Sequence, residues 1–449
     1  MKSELEHPGK LADGPGSLLV LGALSLLAGA ASGLVGAVFR LSLEWADRLR
    51  DALITWAHDR GVPGFMLVVA ACAVATGFAA WLVRRFSPHA SGSGIPHVEA
   101  VLKGELLPAP SRLVVVKFLG GVLSIGSGLA LGREGPTVQM GASLGHLIGT
   151  VFRRGWQDSR ALLAAGAGAG LATAFNAPIA GAVFVLEELV RRFETRTAIA
   201  ALGASAIAIS VACLFLGQAP EYRVEALPYS SPQAAGLFFV LGAAAGFVAV
   251  AYNYALVRTI AVAKQLGRWH VESGAALVGG GVGILAWFAP ALVGGGEALT
   301  QSTLSGTVTL GLIPLVFLLR FVLGPVSYAA RTPGGLFAPM LVLGAQLGLL
   351  FGTLCRLAFP GIDLPTEAFA VVGMAAFFTG VVRAPVTGIV LIIEMTGSFT
   401  ILLPMLGACF VAMLVPTLLG NEPIYDSLRE HAQPGEKRKE PLLTPPHLG

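Results

Sequence analysis

The chain has 449 residues, of which 55% are hydrophobic and only 12% are charged. Soluble domains carry about 25% charged residues, so this composition excludes an ordinary globular protein and indicates one that crosses a membrane several times. The formal net charge is only +4, and the basic residues fall largely in short loops, which is typical of a topology signal rather than of a nucleic-acid surface.

The cysteines and the N-terminus suggest no chemistry. Cys72, Cys213, Cys355 and Cys409 each lie alone in an apolar segment, so we expect buried small side chains, no disulfide framework and no metal site. We expect no cofactor. The first 16 residues are polar and mixed in charge, unlike a cleavable signal peptide.

Apolar segments fill most of the chain, but they do not form a series of simple spanning helices. They run over 17–39, 64–83, 113–131, 136–151, 161–190, 197–217, 234–257, 274–290, 307–327, 335–359, 368–396 and 398–419. A spanning helix needs about 20 residues. Several segments are shorter or contain Gly and Pro, so we predict short and broken helices.

Residues 161–186 predict a re-entrant pair of helices. Arg153, Arg154 and Arg160 precede this uncharged stretch, and Arg191, Arg192 and Arg196 follow it. The positive-inside tendency places both basic loops in the cytoplasm. Two full crossings need about 40 residues, whereas the stretch has 26. We therefore predict two short helices that meet near residues 175–178.

The stretch 132–136, GREGP, predicts an anion site. It places a carboxylate and a guanidinium within a long apolar region, where a charge costs at least about 2 kcal/mol unless it is paired or hydrated. Its Gly and Pro residues interrupt the helix, and irregular backbone at this depth is tolerated where it lines a cavity. The free N–H groups and positive dipole end of such a broken helix point most naturally at an anion.

An internal repeat relates the two halves of the chain. Residues 132–149 align with 335–352 at an offset of 203, and residues 175–188 align with 382–395 at an offset of 207. Shared positions include Gly132/Gly335, Pro136/Pro339, Gly141/Gly344, Gly145/Gly348, Pro178/Pro385, Gly181/Gly388 and Glu187/Glu394. The order of the matches and the nearly constant offset argue against chance.

Loop charges indicate that the second repeat is inverted. The loop 360–367 has acidic residues and no Lys or Arg, whereas its counterpart 152–160 is basic. Inverted repeats with discontinuous helices are a transporter architecture, with the site at mid-membrane. We therefore predict an all-α polytopic membrane protein with an N-terminal tail (1–15), membrane repeats 16–217 and 218–427, and a C-terminal tail (428–449).

Side chains present in one repeat only are candidates for chemistry. Glu134 aligns with Phe337 and Glu188 aligns with Met395, whereas Glu187 recurs as Glu394 and is expected to be structural. A carboxylate at an anion site competes for the amides and leaves when it is protonated, so Glu134 is a candidate gate. Glu188, beside a basic loop, is a candidate proton-transfer group. For both, a purely structural buried carboxylate remains the alternative.

Three further features are less specific. The stretch 92–96 is a third break, without a counterpart that we can align, in which Ser93 is either an anion donor or part of an ordinary turn. Lys117 and Arg320 occupy matched positions, where we expect them to snorkel to an interface or to set the local field rather than to bind an anion.

These stretches resemble those of a known family. The segments Gly92-Ser93-Gly94-Ile95-Pro96, Gly132-Arg133-Glu134-Gly135-Pro136 and Gly335-Leu336-Phe337-Ala338-Pro339 look like the three selectivity-filter segments of the CLC chloride channels and proton/chloride antiporters. The resemblance runs from about residue 20 to residue 428. It implies about 18 short, tilted and re-entrant helices, a homodimer with one anion pathway per subunit, and both termini in the cytoplasm.

The resemblance also implies roles for individual residues. Gly92, Ser93, Tyr425 and the backbone amides of Leu336 and Phe337 would bind the central chloride. Glu134 would be the gating glutamate and Glu188 the inner proton-transfer glutamate. Without the resemblance, Tyr425 would be interpreted as an interface anchor. His97, directly after the first filter stretch, is a departure; we expect a solvent-exposed helix start there, with a titratable vestibule group as the alternative.

The resemblance favours a bacterial inner-membrane transporter, not an enzyme, whose partners are chloride, protons and the lipid bilayer, with no nucleic acid. Glu134 together with Glu188 is typical of antiporters, and Ser93 favours chloride over nitrate. A passive channel of the same fold is the alternative. An intramembrane serine protease built on Ser127 is disfavoured, because the best-placed base, His146, has no paired role.

Overall fold

Helix formation follows the apolar segments, with breaks where Gly and Pro interrupt them. The computed structural model describes residues 15–224, 234–265, 270–361 and 365–432. These ranges contain 17 α-helices, close to the number expected. The helices are α1 (Pro15–His58), α2 (Gly61–Phe86), α3 (Ile95–Leu102), α4 (Arg112–Gly126), α5 (Glu134–Val151), α6 (Trp156–Phe175), α7 (Pro178–Phe184), α8 (Thr195–Leu216), α9 (Ala235–Gln265), α10 (Val271–Phe288), α11 (Glu297–Leu304), α12 (Ile313–Ala329), α13 (Phe337–Ala358), α14 (Thr366–Val382), α15 (Pro385–Thr396), α16 (Leu402–Leu418) and α17 (Ile424–Ala432).

The expected mixture of spanning and shorter helices is present. Seven helices are long and apolar enough to cross a membrane, and α14, α15 and α16 are apolar but shorter. The prediction of a multi-pass all-α protein is confirmed. The predicted tail 1–15 lies almost wholly outside the described residues, as do residues 433–449. Residues 428–432, predicted as tail, instead complete α17.

The first helix is longer than its apolar segment. The sequence predicted a span over 17–39, but α1 continues to His58. Charged residues three and four positions apart support this extension, since Arg50 pairs with Asp47 at 2.6 Å and Arg40 contacts Glu44 at 3.4 Å. The extension therefore follows charge spacing rather than hydrophobicity.

The predicted break near residues 175–178 is confirmed, but the two helices differ in length. Asn176 adopts φ 53° between α6, which has 20 residues, and α7, which has 7. Asn adopts the left-handed conformation more readily than most residues. Its side-chain amide donates to the carbonyl of Ala219, 43 residues away, at 2.9 Å. In the second half, Arg383 takes φ 73° between α14 and α15 at the matched position.

Matched glycines bring the paired helices of each half into close contact. Gly141 of α5 lies against Gly166 of α6, and Gly344 of α13 lies against Gly373 of α14, with no room for a Cβ atom at either crossing. Small residues permit this close approach of helix backbones in membranes. The repeat seen in the sequence is therefore a repeat of helix crossings.

Glu187 and Glu394 cap helices of the opposite half. Val386 and Thr387 donate their amides to Glu187 at 3.0 and 2.6 Å. Ile179 and Ala180 donate theirs to Glu394 at 3.0 and 2.7 Å. Each carboxylate thus satisfies free N–H groups at the start of α15 or α7. The structural role expected for this recurring pair is confirmed.

The snorkelling expected for Lys117 and Arg320 is wrong. Both side chains are buried, and both donate to loop carbonyls. Lys117 Nζ lies 3.0 and 2.7 Å from the carbonyl oxygens of Ala90 and Gly92. Arg320 reaches Leu292, Gly294 and Gly295 at 3.2, 2.8 and 2.7 Å. Each cation holds a loop that precedes a short helix, because those carbonyls have no helical partner.

This arrangement reveals a counterpart for the stretch 92–96. Gly94 has φ 86° and precedes α3, which has eight residues; Gly296 has φ 97° and precedes α11, which also has eight. Glycine is needed at both positions because a side chain is strained at positive φ. The side-chain pattern does not reveal this counterpart, because the two loops share a backbone conformation and have different side chains.

Both ends of the described chain lie beside the basic loops. Arg196 donates to Ser17 Oγ at 3.1 Å, near the start of α1. Arg191 donates to Asp426 Oδ2 at 2.9 Å, in α17. The two ends are therefore on the same side of the protein.

Candidate anion site

The three predicted filter stretches converge through their backbones. Gly132 and Gly335 exchange two hydrogen bonds of 2.9 and 2.7 Å, and Gly92 bonds to the Thr332 and Gly334 backbone at 3.0 and 3.1 Å. Helices α3, α5 and α13 begin beside these bridges, so three helix N-termini are fixed around one point. Free N–H groups and helix dipoles there favour an anion.

Glu134 lies at that point. Its side chain is fully buried, and the backbone N–H of Phe337 donates to Glu134 Oε1 at 2.6 Å. Glu134 Oε2 has no hydrogen-bond partner among the described residues. Gly132 and Gly335 flank the carboxylate so closely that neither has room for a Cβ atom. The carboxylate therefore binds the start of α13 as a free anion would.

Ser93 and Tyr425 form a second part of the site. Both are fully buried, and their hydroxyl oxygens lie beside each other with no other hydrogen-bond partner within the described residues. Ser93 packs against Gly135, at the start of α5. Buried hydroxyls are nearly always hydrogen-bonded. Two adjacent hydroxyls whose only neighbouring polar partner is each other can both donate to one anion.

Aromatic rings close the site around Phe337. Its ring lies 4.7 Å from that of Phe378, 5.8 Å from Phe184, 6.0 Å from Tyr425 and 6.3 Å from Phe175. Leu336, which precedes α13, is fully buried as well. This apolar wall limits water near the carboxylate and strengthens electrostatic interactions inside.

Glu188 lies away from the filter, at a helix irregularity. It belongs to a π-turn, Val185–Leu189, and its side chain is buried. Such turns are frequent at functional sites. Arg191 lies 3.3 Å from Glu188 and 2.9 Å from Asp426, so a buried carboxylate is joined to charges at the protein surface.

Glu99 is a site residue that the sequence reasoning missed. It is fully buried in α3, next to Glu188, and its Oε2 pairs with Arg429 at 3.3 Å while its Oε1 makes no hydrogen bond. The available signal was a lone carboxylate in the apolar sequence IPHVEAVL directly after the first filter stretch. Two neighbouring buried carboxyls can share one proton, because two like charges so close together cannot both ionise readily.

Arg133 does not pair with its neighbour Glu134. It donates to the carbonyl of Ala174 at 2.9 Å and pairs with Glu221 at 2.5 Å. Glu221 also pairs with Arg40 at 2.8 Å. Burial opposes ionisation of Glu221, but the two guanidiniums hold the pKa of its carboxyl below the usual range. The charge of Arg133 is thus compensated by a loop residue, leaving Glu134 free of an ion pair.

His97 is not the exposed residue that the sequence favoured. It is half-buried, its ring lies 4.7 Å from that of His89, and its Nε2 is buried without a hydrogen-bond partner. It lies in the wall of a cavity that reaches Gly92 and Gly94. The alternative interpretation, a titratable vestibule group, agrees with this position.

The chain is similar to known proteins over most of its length. The family model described as voltage gated chloride channel matches residues 73–417. The H(+)/Cl(-) exchange transporter ClcA of Salmonella typhimurium is 36% identical over 431 residues, covering 93% of this chain and 90% of its own. ClcA of Vibrio cholerae serotype O1 is also 36% identical over 431 residues, with 94% and 92% covered.

Solved structures agree with these relatives. A slow cyanobacterial Cl-/H+ antiporter superposes with a TM-score of 0.89 at 31% identity, covering 93% of this chain and 99% of its own. A CLC-type fluoride/proton antiporter superposes with a TM-score of 0.76 at 23% identity, covering 92% and 98%, which establishes similarity of fold alone.

Proposed function

Because the chain belongs to the voltage gated chloride channel family, we propose that it is a secondary transporter that exchanges protons for chloride across a membrane. The observation that carries this proposal is the bond from the Phe337 amide to the buried carboxylate of Glu134. An ionised carboxylate holds the anion position until a proton neutralises it. Anion and proton then use the same place in turn, which couples their movements.

The proposed anion pathway runs through the convergence of the three filter stretches. Ser93 and Tyr425 would bind the central chloride with their hydroxyls, and the amides of Leu336 and Phe337 would complete its coordination. Support comes from the two adjacent buried hydroxyls and from the start of α13 at Phe337. Chloride reaches the outer position when protonated Glu134 leaves it.

The proposed proton pathway begins at Glu188 and ends at Glu134. Arg191 connects Glu188 to the surface, and Glu99 lies beside it as a second buried carboxyl. Tyr425 lies within electrostatic range of both Glu134 and Glu188. Protons would therefore enter away from the anion path and join it only at Glu134.

The proposal extends to assembly and location. We propose a homodimer, which the resemblance to the CLC proteins implies. Because one chain supplies the three filter stretches, Glu134, Ser93 and Tyr425, each subunit would have its own pathway. We propose a bacterial inner membrane with both ends in the cytoplasm, supported by the basic loops beside Ser17 and Asp426. We retain the division into membrane repeats 16–217 and 218–427.

Replacing Glu134 with Ala tests the mechanism. In liposomes with a chloride gradient, we expect the purified wild-type protein to move protons uphill. The Glu134→Ala variant should still pass chloride but should move no protons, because no carboxyl remains to carry them. Glu394→Gln, altered at a helix cap, should retain proton movement. Uphill proton movement by Glu134→Ala would contradict the proposal.

A further inference from the structure

A basic cavity opens on the side of the protein where both ends of the described chain lie. It has a volume of about 680 Å³ and reaches the loop that carries Ser93. Among the residues that the structure describes, no carboxylate lines it, and six basic side chains do: His89, His97, Lys264, Arg331, Arg429 and His431. We call this cavity the basic vestibule.

Two of these cations have no counter-charge. Among the described residues, Arg331 forms no ion pair, and Lys264 Nζ bonds only to the carbonyl oxygen of His431, at 2.5 Å. The two side chains lie within electrostatic range of each other. Arg429, in contrast, pairs with Glu99 at 3.3 Å and with Asp426 at 3.1 Å. Like charges that face one cavity repel unless an anion lies between them.

The histidines provide further donors. The rings of His89 and His97 are 4.7 Å apart, and His97 Nε2 is buried with no hydrogen-bond partner. A neutral imidazole has one N–H to donate, and a protonated one has two. The buried Nε2 of His97 is therefore available to donate to one oxygen of a ligand.

The vestibule is far larger than chloride needs. Its 680 Å³ falls within the range of small-molecule sites, which is about 300–1,000 Å³. A halide fills roughly the volume of one water molecule, about 30 Å³. Arg and Lys are the preferred partners of phosphate oxygens, Arg through its planar fork and Lys as a point charge. Size, charge and donors together fit a compact polyvalent phosphate.

We propose that the basic vestibule binds a soluble di- or triphosphate group, and that the bound anion blocks chloride from reaching Ser93. The inference goes beyond the proposed exchange activity, because it assigns a second ligand and an inhibitory site. Lys264 and Arg331 would bind the phosphates, and His89 and His97, which line the same cavity, would supply further donors.

Calorimetric titration of the purified full chain with tripolyphosphate, in a neutral detergent, tests the site. We expect saturable binding that weakens about tenfold in Lys264→Gln and in Arg331→Asn, since each loses a charged hydrogen-bond partner. Asn suits position 331 because Arg331 has φ 57°, which Asn tolerates. Arg258→Gln is the matched control: Arg258 is exposed on α9, the helix of Lys264, and lies outside the cavity lining.

Absence of binding to the wild type, or equal weakening in Arg258→Gln, would overturn the inference. A flux assay separates this result from exchange itself: tripolyphosphate on the vestibule side should slow chloride flux in phosphatidylcholine liposomes, relative to each variant's own uninhibited rate. Phosphatidylglycerol vesicles distinguish the source of the phosphate. If phosphatidylglycerol displaces tripolyphosphate, the vestibule binds a lipid headgroup, and the inference of a soluble ligand is wrong. If a protein passes no chloride even without tripolyphosphate, that result tests the proposed exchange activity and not the phosphate site.

Discussion

At the scale of single residues, the most informative feature is the difference between the repeats. Glu187 and Glu394 occur in both halves and cap helices of the opposite half. Glu134 and Glu188 occur in one half only, and both are buried. Side chains that occur in both repeats satisfy backbone groups of the shared fold. Side chains that occur in one repeat only are therefore the candidates for a role in transport.

Adjacent glutamates give a matched test of this difference. We expect Glu188→Gln to reduce proton flux by about tenfold or more while chloride flux continues, because a neutral amide cannot relay a proton. Glu187→Gln should keep proton coupling. It should lower the melting temperature slightly, since a charged cap is worth about 0.3–1 kcal/mol. Flux assays and thermal melts of both variants check this. Equal coupling in the two variants would return Glu188 to a structural role.

The sequence predicted some site residues better than others. Glu134 was apparent because a charge within an apolar segment is costly. Tyr425 was found only through the family resemblance, since a Tyr after a last span is ordinarily an interface anchor. Glu99 was missed because one carboxylate in a short segment indicates nothing until Glu188 is known to lie beside it.

At the scale of helices, the breaks were predictable and the short helices were not. Gly and Pro located the starts of α5, α7 and α13 to within a few residues, whereas α14 and α15 were predicted as one apolar segment over 368–396. The eight-residue helices α3 and α11 carry too few residues for a periodic signal. Their loops depend on Lys117 and Arg320, whose partners lie 25 to 28 residues away. Such long-range partners cannot be read from local sequence.

Replacing these two cations separates loop support from general stability. Lys117→Met removes the side-chain donor of both carbonyls: Gly92 keeps the N–H of Gly334 at 3.1 Å, but Ala90 loses its donor, which costs about 1–3 kcal/mol. We expect a lower melting temperature and weaker chloride binding, since that loop carries Ser93. Arg320→Met should lower the melting temperature but keep chloride affinity. Calorimetric chloride titrations compare the two, and equal loss of affinity would contradict the account.

At the scale of the whole molecule, ion pairs join distant parts of the chain. Glu221, in the loop after α8, binds both Arg133 and Arg40, which lie 88 and 181 residues away. Sequence pattern alone gives no means of pairing charges over such distances. The inverted repeat was predictable, because the order of the matched motifs, their offset and the loop charges are visible in the sequence. The ion pairs that join distant segments were not.

The Glu221 pairs make stability depend on acid. Because its folded pKa lies below the unfolded value of about 4.3, the pairs stabilise the protein above that pH, and the contribution is lost as pH falls through the folded pKa. Glu221→Gln leaves buried Arg133 unpaired, so we expect a loss of about 3–5 kcal/mol at neutral pH and a smaller decrease on acidification. Melting temperatures over the acid range test this. An unchanged acid response would contradict it.

The central claim, that a proton and chloride use the position of Glu134 in turn, is tested most directly by the reversal potential of the wild-type protein in liposomes. We predict that, at a fixed chloride gradient, the potential at which current vanishes shifts when a pH gradient is imposed. A potential that follows the chloride gradient alone, whatever the pH difference, would show a passive channel and contradict the account.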